Sequence, residues 1–442
     1  MAAALLSSLI GCASYKPMPL SQSPDSLDAP VASVLAHDAR TIDRPFLRPF
    51  AFDLRQPLDP NAIAVLAVIA NPDLKAQRAR AGVADAQAFA ARLLPDPTIS
   101  LGIDHLVSGP DPLDNLAAAL ATDLAALRTR AVARTAADAS AEQVRLDLAW
   151  AEWQTAGQAR LQAVRRVALA RQVELARAGR DGAQSMLDRA LRAAGRGDLP
   201  PDQAQAARIA AIDATDRLRT NETDLAAARL ELTRLLGLPP TTAIALTDPP
   251  LPPPPPSADT LFAIARAQRL DLKALEQGYA AQEAAVHKAV LDQFPTLTLT
   301  LNASRDTSGN KLIGPAIDFT LPLWNRNRGG IAIEQATRAA LKAEYEARLF
   351  QTRAEIAAAV EGLAVVRRQR DVIAPQIAPL DRFAAASERA ARRGDLAPMT
   401  AETARAALRD KALLLVQLDQ AIMEQTIALE LLTGVPRESW TR

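Results

Sequence analysis

The sequence predicts a mostly α-helical protein with a small antiparallel β part, built from two copies of one unit. Alanine, arginine, glutamate and leucine dominate and aromatic residues make up only 4% of the chain, a composition that suits long packed helices. The stretch "PTLTLTLN" at 295–302 alternates threonine with leucine, which is the period of a strand with one apolar and one polar face. Long segments of the first half also recur in the second half.

The recurrence is a duplication. Residues 73–101 align without a gap on 271–299, and residues 195–211 align on 392–408. The offset stays nearly constant, which a mere alanine bias would not maintain. We therefore predict five parts: a signal peptide at 1–11, a lipidated extended N-terminal arm at 12–60, a first repeat at 61–247, a proline-rich linker at 248–258 and a second repeat at 259–442.

The first copy predicts a helix over 62–94 that ends at Pro95 and Pro97, because proline removes a backbone donor and disfavours helix just before it. Alternating residues predict strands at 98–104 and 115–124, separated by a loop rich in turn formers.

The second copy predicts strands at 296–304 and 315–323 with a loop at 305–314 between them. The two copies together therefore predict two hairpins. Ala125 stands where the second copy has Pro322, so the two strand-to-helix junctions are expected to differ.

A long helix is predicted from about 127 to 195, because it lacks an interior proline and repeats apolar residues at three- and four-residue steps. Gly197 is expected to take the left-handed conformation after it, and Asp198 to cap the next helix, with Pro200 in its first turn. Gly394 and Asp395 repeat this arrangement in the second copy.

Four two-faced strands cannot remain open in lipid, since unpaired edges leave backbone groups without partners. Four strands do not close a barrel either. A cyclic homotrimer would share about 12 strands, a normal number for a membrane β-barrel. The side chains expected to face lipid are Ile99, Leu101, Leu297, Leu299 and Leu301, with the threonines facing a wet lumen.

Cys12, the one cysteine, excludes a disulfide framework and ends the stretch "MAAALLSSLIGC". The "LIGC" segment resembles the bacterial lipobox, in which the cysteine becomes the lipidated first residue of the mature protein. The alternative is a chance cysteine in a frayed terminus, because the usual Lys or Arg before the apolar stretch is missing.

No pattern of residues indicates an enzyme, a cofactor or nucleic-acid binding. The net charge is +1, so there is no basic footprint for nucleic acid. His37, His105 and His287 are scattered and have no metal-ligand spacing, which indicates structural or loop roles. No Ser-His-Asp set, phosphate loop or paired carboxylate stands in a credible context.

These features together resemble the TolC family of outer-membrane efflux proteins. The resemblance rests on the duplication, the strand entries "LLPDPTISLG" and "FPTLTLTLN", the exit "FTLPLWNRNRGG" and the two "RGDL" turns. It implies a trimeric conduit in the cell outer membrane, with a short shared β-barrel and a long periplasmic α-helical barrel. The tips are then expected to meet a periplasmic adaptor (a membrane fusion protein) that links them to an inner-membrane pump of the RND type.

The segment "LPLWNRNRGGI" with a lipobox is most similar to the CzcC-like and CusC-like heavy-metal exporters, which implies metal cations as substrates. An outlet for drug efflux or type I protein secretion is the alternative. The sequence disfavours two other classes of protein. A periplasmic adaptor would carry a single helical hairpin, and a structural coiled coil would need no two-faced strands.

The resemblance places Gly197, Asp198, Gly394 and Asp395 at the periplasmic mouth. The two carboxylates there either gate the pore or only cap helices.

Overall fold

The computed structural model describes residues 15–22, 27–28, 30–51, 53, 56–105, 107–111 and 113–440. The predicted signal peptide and Cys12 lie outside the described residues. Within these ranges, no helix combines the length and the apolar character that crossing a bilayer requires.

The two halves contain the same succession of elements. The first half runs through α1 (Ala32–Thr41), α2 (Pro60–Ala70), α3 (Pro72–Ala90), β1 (Thr98–Asp104), β2 (Asn115–Asp123), α4 (Leu124–Gly195) and α5 (Pro201–Leu235). The second half runs through α6 (Ala258–Gln268), α7 (Leu270–Leu291), β3 (Leu297–Arg305), β4 (Lys311–Phe319), α8 (Arg328–Arg393), α9 (Pro398–Thr433) and a 3₁₀ turn (Arg437–Ser439). From α2 and α6 onward the elements correspond one to one.

The long helices join the two halves. α4 has 72 residues and is therefore about 108 Å long at 1.5 Å per residue. It packs against α5 of its own copy and against α7 and α9 of the other, while α8 packs against α9. Each copy also has its own cluster of buried apolar residues, around Leu66 and Leu232 in the first copy and around Leu261 and Ile422 in the second.

The predicted single helix over 62–94 is wrong, because the chain breaks between α2 and α3. The Asn71 side chain accepts a hydrogen bond from the Leu74 amide at 3.0 Å, and the Asn71 backbone N–H closes α2 on the Ala67 carbonyl. Pro72 then occupies the first position of α3, where its missing N–H costs nothing. An Asn-Pro pair thus ends one helix and starts the next.

The same break recurs between α6 and α7, and each break is tied to a glycine turn. Asn71 donates to the carbonyl of Leu235 at 2.9 Å, and Arg269 donates to the carbonyl of Leu432 at 3.2 Å. Gly237, with φ +59°, follows α5, and a Cβ there would lie 2.3 Å from the backbone oxygen of Ala70. Close backbone approach together with positive φ explains why the "LGLP" segment requires glycine.

The predicted extended N-terminal arm is wrong for Ala32–Thr41, which form α1. Leu35 and Ala39 recur at a helical spacing and are buried against α2. Phe50 then donates its backbone N–H to the carbonyl of Ala39 at 2.9 Å. The apolar spacing lets this segment bury surface on the body of the protein, so residues 31–50 fold against it.

A buried carboxylate anchors this segment. Glu152 of α4 is only 1% exposed, and Arg44 Nη2 reaches its Oε1 at 3.1 Å while Arg44 Nε contacts Oε2. Arg78 of α3 donates Nε and Nη2 to the same carboxylate at 3.0 and 2.6 Å. The hydrogen bond to Glu152 raises the pKa of Arg44, so the guanidinium stays charged.

The four strands form one antiparallel sheet in the order β1-β2-β3-β4. Both hairpins are present as predicted, and β2 pairs with β3 to join them. The predicted loop at 305–314 is wrong for Lys311–Gly314, which belong to β4. The turn is shorter than predicted because Asp306 and Asn310 close it, with the Asp306 N–H donating to the Asn310 carbonyl at 3.0 Å.

The two strand-to-helix junctions differ, as the sequence indicates. β2 passes directly into α4, and the Asp123 carboxylate caps this helix by accepting from the amide of Ala125 at 2.8 Å. β4 reaches α8 through residues 320–327, where Arg326 and Asn327 have φ of +45° and +52°.

Candidate functional site: the two-faced sheet and the helix turns

One face of the sheet is apolar across all four strands. Residues directly paired in an antiparallel sheet point to the same face. The register pairs Ile99 with Leu120, Leu120 with Leu301, and Leu301 with Pro315. The same face carries Leu101, Ile103, Leu116, Leu297, Leu299, Ile313, Ile317 and Phe319. The structure therefore brings together the five strand residues predicted to face lipid.

The opposite face is polar or lined by small residues. Its middle rows hold threonine, serine, alanine, glycine and Asn302. The row nearest the helices places Thr298 between two carboxylates, because Thr298 pairs with Asp123 on one side and Asp318 on the other. Neither carboxylate has an ion-pair partner among the described residues. Negative charge is thus concentrated at this end of the polar face.

Both edges of the sheet are open within the chain. β1 pairs only with β2 and β4 only with β3 in the part of the chain that the structure describes. Open edges offer rows of unpaired N–H and C=O groups. The helices also leave apolar surface uncovered. Large apolar side chains are exposed on α8 at Ile333, Phe350 and Phe383 and on α5 at Ile209 and Ile212.

Aromatic side chains lie where the sheet meets the helices. Phe294, Phe319 and Trp324 are all exposed, Trp324 at 90%. Within one chain these three rings therefore do not form a buried core at the junction. Arg128 of α4 stacks over the Phe294 ring at 5.8 Å and donates to the Pro295 carbonyl at 3.1 Å, which fixes the entry to β3.

Side-chain hydrogen bonds link the two loops at the far end of the sheet. Asp111 accepts from the hydroxyls of Thr307 and Ser308 at 2.6 and 3.1 Å. Asn310 donates from its side chain and its backbone to Asp306, and these bonds lower the pKa of Asp306. The two hairpins are thus tied together at their tips as well as by the β2–β3 ladder.

His105 lies in the first of these loops, with Nδ1 2.7 Å from Asp114 Oδ1. No group of side chains suited to hold a metal ion occurs within the described ranges.

The predicted glycine turns lie at the opposite ends of the long helices, away from the sheet. Gly197 follows α4 with φ +81°, and Gly394 follows α8 with φ +83°. Both N–H groups bond back to the preceding helix, on the carbonyls of Ala194 and Ala391. These are the left-handed helix ends that the sequence predicts.

The prediction that Asp198 and Asp395 cap the following helices is wrong. Each instead completes the preceding helix end by donating its backbone N–H to the carbonyl five residues back, Ala193 or Ala390, at 2.9 Å. The side chains pair with arginines, Arg196 Nε to Asp198 at 2.9 Å and Arg393 Nε to Asp395 at 3.0 Å. α5 and α9 start at Pro201 and Pro398 with no side-chain cap, because each first-turn proline leaves the N-cap position to the residue before it, two residues beyond the aspartate.

Two features of the structure are not predicted by the sequence. Glu152, Arg44 and Arg78 lie far apart in sequence and follow no motif. Arg305 and Lys311 stand in the predicted loop, and only the register shows that they pair on the apolar face. The period-2 pattern across "NKLIGPAIDF" is the local signal in the sequence for a strand that includes Lys311.

The comparisons with known proteins agree with this architecture. Residues 261–435 match the family model described as outer membrane efflux protein. These residues comprise most of the second copy. No curated protein sequence matches the chain.

Solved channel structures have the same fold. The structure of CusC, described as undergoing folding and transmembrane channel formation, matches with a TM-score of 0.68 at 17% identity, covering 85% of this chain and 92% of CusC. The Campylobacter jejuni CmeC outer membrane channel matches with a TM-score of 0.68 at 15% identity, covering 85% of each chain. The Vibrio cholerae outer membrane protein VceC matches with 0.67 at 18% identity, covering 85% and 96%. The fold is therefore that of outer-membrane channel proteins.

Proposed function

We propose that this protein is the outer-membrane channel of a tripartite efflux system. Three copies close one barrel of about 12 strands in the outer membrane, and their helices form a duct across the periplasm. The observation that carries the proposal is the sheet itself, which has one apolar face, one polar face and two open edges. A second copy is the partner that would pair an open edge and cover the exposed apolar residues of α8 and α5.

The remaining parts of the proposal follow from this placement. Acylation at Cys12 would anchor the chain in the same membrane. The turns at Gly197 and Gly394 would form the periplasmic mouth, which meets an adaptor that leads to an inner-membrane pump of the RND type. Each tip aspartate is paired with an arginine, so a ring of these residues would attract cations less than six free carboxylates would.

The substrate proposed is a heavy-metal cation, on the strength of the "LPLWNRNRGGI" exit and the lipobox-like segment. A passive duct selects weakly, so the pump would choose the substrate. Loss of metal tolerance in a strain lacking this protein, with unchanged drug tolerance and protein secretion, is the expected result. The reverse pattern would make it a drug or protein outlet.

The channel activity is tested with purified protein in detergent and in planar bilayers. Light scattering should give the mass of three mature chains, and the bilayer should show discrete conductance steps. The carboxylates of Asp123 and Asp318 should make the conductance cation-preferring. A stable monomer with full β-sheet signal, or a trimer that conducts no ions, would contradict the proposal.

A further inference from the structure

Two basic side chains lie directly opposite each other at the loop end of the apolar face. Arg305 ends β3 and Lys311 begins β4, and the register pairs the two residues. Arg305 also pairs with Leu116 of β2, and the next row toward the helices holds Ala303 and Ile313. A basic row thus borders the apolar band on the side away from the helices.

Like charges in directly opposed positions of a sheet destabilise it unless something neutralises them. Neither Arg305 nor Lys311 forms an ion pair with any residue that the structure describes. Arg305 Nε is buried and lacks a hydrogen-bond partner within the same ranges. Such a donor is costly to leave unsatisfied, so this row is suited to an anion.

The aspartates of the neighbouring loops are already engaged elsewhere. Asp306 binds Asn310, and Asp111 binds Thr307 and Ser308. Asp114 contacts His105 and Asp104 accepts from Asn115. The chain therefore has acidic groups close by in sequence, but none of those described forms an ion pair with the basic row.

We propose that Arg305 and Lys311 bind the phosphate groups of a phosphorylated lipid in the outer leaflet. The assignment rests on the proposed function, which puts the apolar face against lipid and the loops outside the cell. An acyl chain lying against Ile313 and Leu301 then brings its headgroup level with the basic row. Arginine and lysine near anionic headgroups attract them strongly, and Lys311 is exposed to reach one.

The test uses the detergent-solubilised trimer and native mass spectrometry. Lipid A with two phosphates is titrated against the same lipid without phosphates, and inorganic phosphate is added in a third arm. The variant R305Q/K311Q is compared with K342Q/R353Q, which removes two exposed bases of α8. Wild type and the control should bind phosphorylated lipid A about tenfold or more tightly than the dephosphorylated form, and R305Q/K311Q should lose that preference.

Equal binding of both lipids, or an R305Q/K311Q variant that keeps the preference, would overturn the inference. If inorganic phosphate displaces phosphorylated lipid A completely at equal concentration, the bound anion is free phosphate and the proposal of a lipid ligand is wrong. Mass and conductance are measured on the same samples. A conducting trimer without lipid preference refutes this inference alone, whereas a protein that forms no trimer refutes the proposed function.

Discussion

Leu299→Arg is expected to stop the protein from assembling in the outer membrane, whereas Thr298→Arg, one residue away, is expected to assemble normally. Leu299 lies inside the apolar band, paired with Ile317 on one side and Thr122 on the other. A lipid-facing arginine near the middle of a bilayer costs about 2–4 kcal/mol, and a trimer repeats the cost three times.

Thr298 lies on the opposite face between Asp123 and Asp318. An arginine there points into water beside two carboxylates, so it should leave assembly intact and reduce the cation preference of the conductance. The measurement is the fraction of each variant recovered as trimer from outer-membrane preparations. Equal recovery of the two variants would show that this assignment of the inside and outside faces is wrong.

Glu152→Ala is expected to destabilise the folded chain by about 3 kcal/mol, near the low end for removing one partner of a buried ion pair. The substitution leaves Arg44 and Arg78 without their shared carboxylate. Both arginines are about one-third exposed, so water compensates for part of the loss. The segment at residues 42–50 should loosen first, because Arg44 ties it to α4.

The matched control is Glu142→Ala, on the same helix. Glu142 pairs with Arg145 at 3.2 Å on an exposed surface, where such a pair contributes about 0.5 kcal/mol or less. The comparison is made by urea unfolding and by hydrogen exchange of residues 42–50. Similar losses for the two variants, with exchange unchanged in both, would refute the anchoring role of Glu152.

The sequence predicts the strands and long helices well because their signals are local. Strand alternation at 98–104 and 297–301 depends on neighbouring residues, and so does the apolar spacing of α4. The glycine turns at Gly197 and Gly394 are equally local, since few other residues tolerate their φ. For the same reason the duplication is visible without a structure.

The remaining features depend on contacts between distant residues. Glu152 meets Arg44 and Arg78 only after the segment that follows α1, together with α3, reaches α4, and no spacing in the sequence indicates this. The role of Asp198 and Asp395 depends on where the following helix begins, which the prolines Pro201 and Pro398 fix three residues beyond each aspartate. The pairing of Arg305 with Lys311 depends on the hairpin register, and a slip of one residue in that register moves every side chain of a strand to the other face.

The central claim is that separate copies pair β1 with β4, and disulfide cross-linking tests it most directly. Within one chain β1 and β4 are separated by two strands, so about 14 Å lies between them, beyond the reach of a disulfide. Cysteines replace Ser100 in β1 and, in separate variants, Gly314 or Ala316 in β4, with Cys12→Ser as the background. Oxidation of at least one pair should give a covalent trimer on denaturing gels, and neither single-cysteine parent should do so. Monomer alone from every pair, in protein that has inserted and folded, would contradict the shared barrel.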